Sequence, residues 1–214
     1  MTGLRARQKA DRNRRILEAA TTLFREQGYD SARIEDIAEM AEVSVGTLYN
    51  YYQNKGDVLV ATVSMEVTEV LEAGERIVAN PPPNVNEALG ALINQYYDHS
   101  LVYLSKEMWR TAMASAIQQP ETPLSKRYTE LDARLCAQVV QLIETLQRRG
   151  VIIAGVETRA LGEVFFNNLN MMFIEFCKHE SMPLEELKAR VAEQNRPIAE
   201  LISSVKRVGI PRKS

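Results

Sequence analysis

Residues 31–55, SARIEDIAEMAEVSVGTLYNYYQNK, constrain the fold more than any other stretch of this 214-residue chain. Ile34, Ile37, Ala38 and Ala41 fall at i, i+3, i+4 and i+7, one apolar stripe on a short helix. A second helix is predicted to start at Ser44, whose hydroxyl suits a free backbone N–H of the first turn. At about 100° per residue, Leu48 and Tyr52 share one side of it with Ser44 and Tyr51 flanking, while Gly46, Thr47, Tyr49 and Asn50 point away. Helices this short have little stability of their own, so the Leu48 side must dock on neighbours and the opposite side stays open. That open side offers a small residue, a hydroxyl, an amide and an aromatic ring, and no acid. Phosphate repels carboxylates, so such a face suits DNA.

Ile37-Ala38, Val43-Ser44, Gly46-Thr47-Leu48-Tyr49, the pair Tyr51-Tyr52 and Lys55 together resemble the helix-turn-helix signature of the TetR/AcrR family of bacterial transcriptional regulators. The likeness covers residues 10–58, about a quarter of the chain. It implies an all-α protein: an N-terminal three-helix DNA-binding domain over residues 1–55, with an arm at 1–9, and a larger helical effector-binding and dimerisation domain over 56–214. It also implies DNA contacts from Arg33, Ser44, Val45, Gly46, Thr47, Tyr49, Asn50, Tyr51 and Lys55. Gly46 would let the backbone approach closely. Thr47 and Tyr49 would offer hydroxyls to phosphates, and Asn50 could pair with an adenine edge. Lys55 would add a full charge at the start of the next helix, where free N–H groups already attract phosphate.

Three positions depart from the family pattern. Arg33 stands where many relatives carry a phosphate-binding hydroxyl, and Val45 where many carry a lysine or arginine. Glu42 stands in the turn, where many relatives have glycine. If the turn requires positive φ, a side chain there costs on the order of 1 kcal/mol, and it places an acid near the DNA.

The net charge of −2 does not advertise a polyanion partner, so the local distribution matters. Residues 1–15 hold Arg5, Arg7, Lys9, Arg12, Arg14 and Arg15 against one acid, Asp11. Residues 1–9 read as a polar arm, either solvated or ordered along DNA. Residues 10–27 form the first predicted helix, with Ile16, Leu17, Ala19, Ala20, Leu23 and Phe24 on one face and Gly28 as its C-terminal cap.

Lys55 opens a helix through Val63 and Leu71 that ends at Asn80-Pro81-Pro82-Pro83-Asn84. It is long enough to link the two domains mechanically. Helical patterning resumes at Val85 and continues through Leu104 and Met113 to Pro120 and Pro123. A long helix follows over 124–149. Residues 157–179 are apolar on most sides, which demands burial on most sides. The last helix is predicted over 184–208, with a kink expected at Pro197 and Val205 among its apolar positions, followed by a short, basic, disordered tail after Gly209. By the resemblance, these last two long helices pair with their copies in a homodimer.

The chain has no phosphate-binding glycine loop, no GxSxG, CxxC or HExxH, and two histidines 80 residues apart. No catalytic set, metal site or cofactor is predicted, and an enzyme is disfavoured. Cys136 and Cys177 lie in apolar helical patterns and read as buried thiols of a reducing compartment. No apolar run reaches the ~20 residues that span a bilayer, and the basic N-terminus lacks an apolar secretion segment, so a cytoplasmic location is expected.

Tyr96, His99, Tyr103, Met108, Trp109, Met113, Phe165, Asn168 and Met172 mix aromatic, flexible and polar groups as effector pockets do, and as ordinary cores also do. The expected function is a ligand-responsive transcriptional regulator, a repressor by preference. It would bind a pseudo-palindromic double-stranded operator as a dimer and be released by a small apolar or aromatic effector. The alternative is a helical small-molecule-binding protein without operator binding, favoured only by Val45 and Glu42.

Overall fold

The computed structural model describes residues 2–204, the side chains of Thr2, Arg5 and Leu124 excepted. Its regular elements are α1 (Thr2–Gln27), α2 (Ile34–Met40), α3 (Val45–Tyr49), α4 (Lys55–Ala79), α5 (Val85–His99), α6 (Lys106–Gln118), α7 (Pro123–Arg148), α8 (Thr158–Lys178) and α9 (Leu184–Ile202). Among the described residues the only β pairing is the isolated bridge between Ile152 and Ser203, and the fold is all-α.

Backbone contacts group the chain into two compact units. One is Met1–Glu69 with Ser100–Asp132, and the other is Val70–His99 with Ala133–Ser214. The first takes in α6 and the start of α7 besides the N-terminal helices.

In the first unit Ile16, Ala20, Leu23 and Phe24 of α1 are buried, as are Ile37 and Ala38 of α2, Leu48 of α3 and Val58 and Leu59 of α4. These belong to the stripes read from the sequence, with Ala41 also buried and Ile34 half-buried. Gly28 ends α1 at φ 84, a left-handed cap that glycine adopts without strain. Arg25 donates to the Val102 carbonyl at 2.6 Å.

The sequence pattern runs on past residue 100, but the structure breaks there. The Trp109 indole N–H donates to the Ser100 carbonyl at 2.7 Å, and Ser105 caps α6 by accepting from the Met108 N–H at 3.3 Å. A side-chain bond and a hydroxyl cap stabilise this turn against a continuous helix.

In the second unit a buried hydrogen-bond chain joins three helices. Tyr96 of α5 donates to Gln138 of α7 at 2.8 Å, and Gln138 donates to the Leu71 carbonyl of α4 at 2.8 Å. Tyr97 donates to the Leu169 carbonyl of α8 at 2.8 Å and stacks on Phe173. Desolvation raises both tyrosine hydroxyls far above their ordinary value, so they remain donors. A Cβ at Gly162 would stand 2.7 Å from the Val140 Cα, so glycine lets α8 lie close on α7.

Two expectations change. Residues 2–9, expected as an arm, form the first turns of α1. Arginine, lysine, glutamine and alanine are good helix formers, and no proline interrupts them. The last helix contains Pro197 but ends at Ile202 rather than 208, where Ser204 turns to donate to the Val151 carbonyl at 2.8 Å. Val205 and the tail after Gly209 lie outside the described residues.

Candidate nucleic-acid interface

The reading head is built from α2, α3 and the turn between them. Val43 N–H donates to Ala38 O and Glu42 N–H to Glu39 O, each at 3.0 Å, closing α2 in a Schellman motif. Glu42 occupies the left-handed position of that motif, at φ 53. The condition for strain set by the sequence is therefore met, and the turn carries a cost of about 1 kcal/mol that glycine would avoid.

Ser44 has extended backbone and caps α3: its hydroxyl accepts from the Thr47 N–H at 3.1 Å and lies 2.8 Å from the Thr47 hydroxyl. Leu48 is fully buried, and Tyr52 is buried with its hydroxyl donating to Asn13 Oδ1 of α1 at 2.6 Å. Burial pushes the Tyr52 hydroxyl up to about 12, with the Asn13 bond pulling the other way. Docked so, α3 leaves Gly46, Tyr49 and Asn50 exposed and Val45 and Thr47 half-buried. Tyr49 is half exposed.

Open space surrounds Gly46; an added Cβ would have no neighbour within 4 Å. Packing within the chain therefore does not require this glycine, and close approach of a ligand backbone gives it a reason. Gly46→Ala is expected to raise helix stability by about 0.5–1 kcal/mol while weakening duplex binding about tenfold. Thermal melting and a binding isotherm on one sample check both signs; unchanged binding would leave the glycine unexplained.

Four other predicted contacts are occupied or paired within the chain. Arg33 is exposed and paired loosely with Glu35 at 3.5 Å. Tyr51 is half-buried and donates to the Lys9 carbonyl at 3.2 Å, tying α3 to the N-terminal half of α1. The Ser44 hydroxyl is engaged in its cap. Lys55 has the most partners of the four. Its ammonium donates to the carbonyls of Tyr29, Asp30 and Ala32 at 2.6, 2.9 and 3.2 Å and lies 4.5 Å above the Tyr29 ring. The three donor positions of the ammonium thus match three carbonyls of the turn that follows α1.

Lys55→Met should cost about 1–2 kcal/mol of stability and leave the salt dependence of DNA binding unchanged. A phosphate-binding lysine would instead lower the log–log salt slope by about 0.9. Denaturant titration and binding at several salt concentrations separate the two.

Arg15 of α1 meets the head through Glu42, and the Lys9 carbonyl meets the adjoining Tyr51. Arg14 is held by Asp11 at 2.9 Å and Glu18 at 2.7 Å, which raise its pKa above the ordinary value. Arg15 is paired with Glu42 at 3.3 Å and Asp11 at 3.5 Å. Among the described residues Arg7, Lys9 and Arg12 carry no ion pair and remain available to an anion. Tyr51–Lys9 and Arg15–Glu42 join positions 42 and 27 residues apart, and no local pattern announces either.

The effector candidates divide between the units. Tyr103, Met108, Trp109 and Met113 belong to the first, and Tyr96, His99, Phe165, Asn168 and Met172 to the second. Met108 and Phe165 are fully buried, and Tyr96, Trp109 and Met172 nearly so. Tyr103 donates to the Glu69 carboxylate at 3.0 Å, and Asn168 to Asn195 Oδ1 at 2.9 Å. His99 and Met113 are half-buried.

A groove of about 720 Å³ in the second unit runs between α5 and α9, lined by Leu89, Ile93, Asn94, Lys188, Val191 and Asn195 among others. None of the nine candidates lines it. The sequence reading missed it because it forms where two helices distant in the chain meet. Among the described residues no cluster of histidine, cysteine or carboxylate could hold a metal, neither cysteine is in a disulfide, and no helix is long and apolar enough to cross a membrane.

Comparison with known proteins agrees with this geometry. The model of the bacterial regulatory proteins of the tetR family matches residues 16–62, from the α1 core into α4. The fatty acid metabolism regulator protein of Bacillus subtilis is 22% identical over 169 residues, covering 77% of this chain and 82% of that protein. The HTH-type transcriptional repressor KstR of Rhodococcus jostii is 34% identical over 79 residues, only 37% of this chain and 35% of the repressor. Among solved structures, FadR of Thermus thermophilus, a TetR family transcriptional repressor in complex with lauroyl-CoA, superposes with a TM-score of 0.66 over 94% of this chain and 99% of its own. At 20% identity that last likeness speaks for the fold alone.

Proposed function

This chain belongs to the tetR family of bacterial regulatory proteins, DNA-binding transcription regulators and not enzymes, and on that premise we propose that it is a dimeric repressor released from its operator by an apolar effector. The observation that carries the reading is the α3 edge. Leu48 anchors the helix in the core, while Gly46, Tyr49 and Asn50 lie bare beside it. Two copies related by a twofold axis would place two such edges in successive major grooves of a pseudo-palindromic operator.

The dimer face in this reading is on α8 and α9. Val164 and Met171 of α8 and Leu201 of α9 are large apolar side chains left roughly half to two-thirds exposed. Val164 and Met171 are seven residues apart, two turns on one side of the helix. Exposed apolar surface at that spacing suits pairing with a second copy.

The effector is proposed to be a fatty acyl thioester or a similar apolar chain. The support is the name of the Bacillus subtilis relative and the lauroyl-CoA bound to the Thermus thermophilus repressor. Release requires only that the effector bind the DNA-incompetent conformation better.

Selection of duplexes from a random pool, followed by a gel shift on the winner with and without lauroyl-CoA, tests both halves. Enrichment of a sequence with twofold symmetry, released by micromolar lauroyl-CoA, is the expected outcome. A pool with no enriched sequence removes the operator. A complex that lauroyl-CoA leaves intact removes the acyl effector.

A further inference from the structure

The turn between α2 and α3 contains a residue that works against its apparent purpose. Glu42 holds a strained left-handed conformation two residues before the cap of the DNA-reading helix, where it adds a negative charge. Among the described residues it is the only one other than glycine at positive φ. Its side chain is 84% exposed, so no core packing explains it. What the carboxylate does is accept a hydrogen bond from Arg15 Nη1 at 3.3 Å.

Arg15 is held lightly. Its side chain is one-third exposed, its Nε lies 3.5 Å from Asp11 Oδ2, and that Nε finds no hydrogen-bond partner. A 3.3 Å pair to a carboxylate as exposed as Glu42's exchanges readily for a better anion. Phosphate is such an anion, because the guanidinium fork can meet two of its oxygens at once.

We propose that Glu42 is an affinity-setting residue that competes with the DNA backbone for Arg15. While Glu42 holds the guanidinium, the interface has one phosphate contact fewer. Removing the carboxylate turns Arg15 into a phosphate ligand. The inference rests on the reading of α3 as the DNA-facing helix and adds to it how tightly that face binds.

The test is a cycle of four full-length proteins: wild type, Glu42→Gln, Arg15→Ala and the double variant. Each is titrated with one duplex of arbitrary sequence at several salt concentrations. Glu42→Gln is expected to bind about three- to tenfold tighter, with a log–log salt slope steeper by about 0.9, one added phosphate contact. Arg15→Ala leaves the wild-type slope unchanged and abolishes the steepening when combined with Glu42→Gln.

An unchanged slope in Glu42→Gln overturns the proposal. So does a gain that survives in the double variant, which would be simple repulsion, or a slope already reduced by Arg15→Ala alone, which would mean that Arg15 reaches phosphate regardless of Glu42. Thermal melting of all four confirms that each is folded. Slope changes without any enriched sequence in the random-pool selection would remove the operator reading alone. An enriched sequence with unchanged slopes would remove only the competition, and no binding at any salt would remove both.

Discussion

Replacing Leu48 with alanine is expected to detach α3 and lose DNA binding altogether. The helix is five residues long, Val45–Tyr49, far below the length at which propensity sustains a helix in water. Its cap at Ser44 and the bond from Leu48 N–H to Ser44 O close one turn, but they do not tie it to the rest of the protein. Leu48 does, with its side chain at 0% exposure. Truncating a buried leucine costs about 2–5 kcal/mol, and toward the upper end where a cavity persists. Collapse of the site would move α3, which carries the residues proposed to face DNA. Urea denaturation should show the loss, and a gel shift on the selected duplex should show no complex. Tyr49→Ala is the counterpart. Its side chain is half exposed, so stability should stay within about 0.5 kcal/mol while the complex is lost. A Leu48→Ala protein as stable as wild type would mean that α3 is held by something other than its apolar side.

That contrast between adjacent residues was legible in the sequence. One residue step of a helix places Leu48 and Tyr49 about 100° apart, and the period alone assigns one to the core and the other to the surface. Ser44 was legible as a cap for a similarly local reason. Lys55 was not. Its three carbonyl partners are 23 to 26 residues earlier, in a turn whose path nothing nearby in the sequence specifies. The break at 100–105 was hidden because Leu101 and Leu104 continue an apolar pattern that a capped turn also satisfies. The candidate effector residues show the limit of composition. Tyr96 and Trp109 look like pocket groups in the sequence, but in the structure each gives its polar hydrogen to a protein acceptor, Gln138 Oε1 and the Ser100 carbonyl. Their partners lie on another helix or across a turn, so their role depends on tertiary packing rather than on the residue type.

The second large effect is expected at Met171. Its side chain on α8 is 57% exposed, and Val164, two turns earlier, is 49% exposed. In a homodimer built on this face, twofold symmetry duplicates every substitution, so Met171→Glu introduces two carboxylates into one apolar interface. Neither finds a partner among Val164, Leu201 and their copies, and burying an unpaired charge costs more than the displaced methionine contacts contributed. Sedimentation equilibrium should therefore show a monomer at concentrations where wild type is a dimer. Met171→Leu, which keeps volume and polarity, should remain dimeric. Operator affinity should fall about 100-fold or more, because the second half-site is then no longer reached at high effective concentration. The protomer should stay folded, its melting lowered only by the lost contribution of association. The two measurements bear on each other: a Met171→Glu protein that stays dimeric moves the interface off this face of α8, whereas one that is monomeric yet binds the selected duplex as tightly as wild type detaches dimerisation from operator recognition.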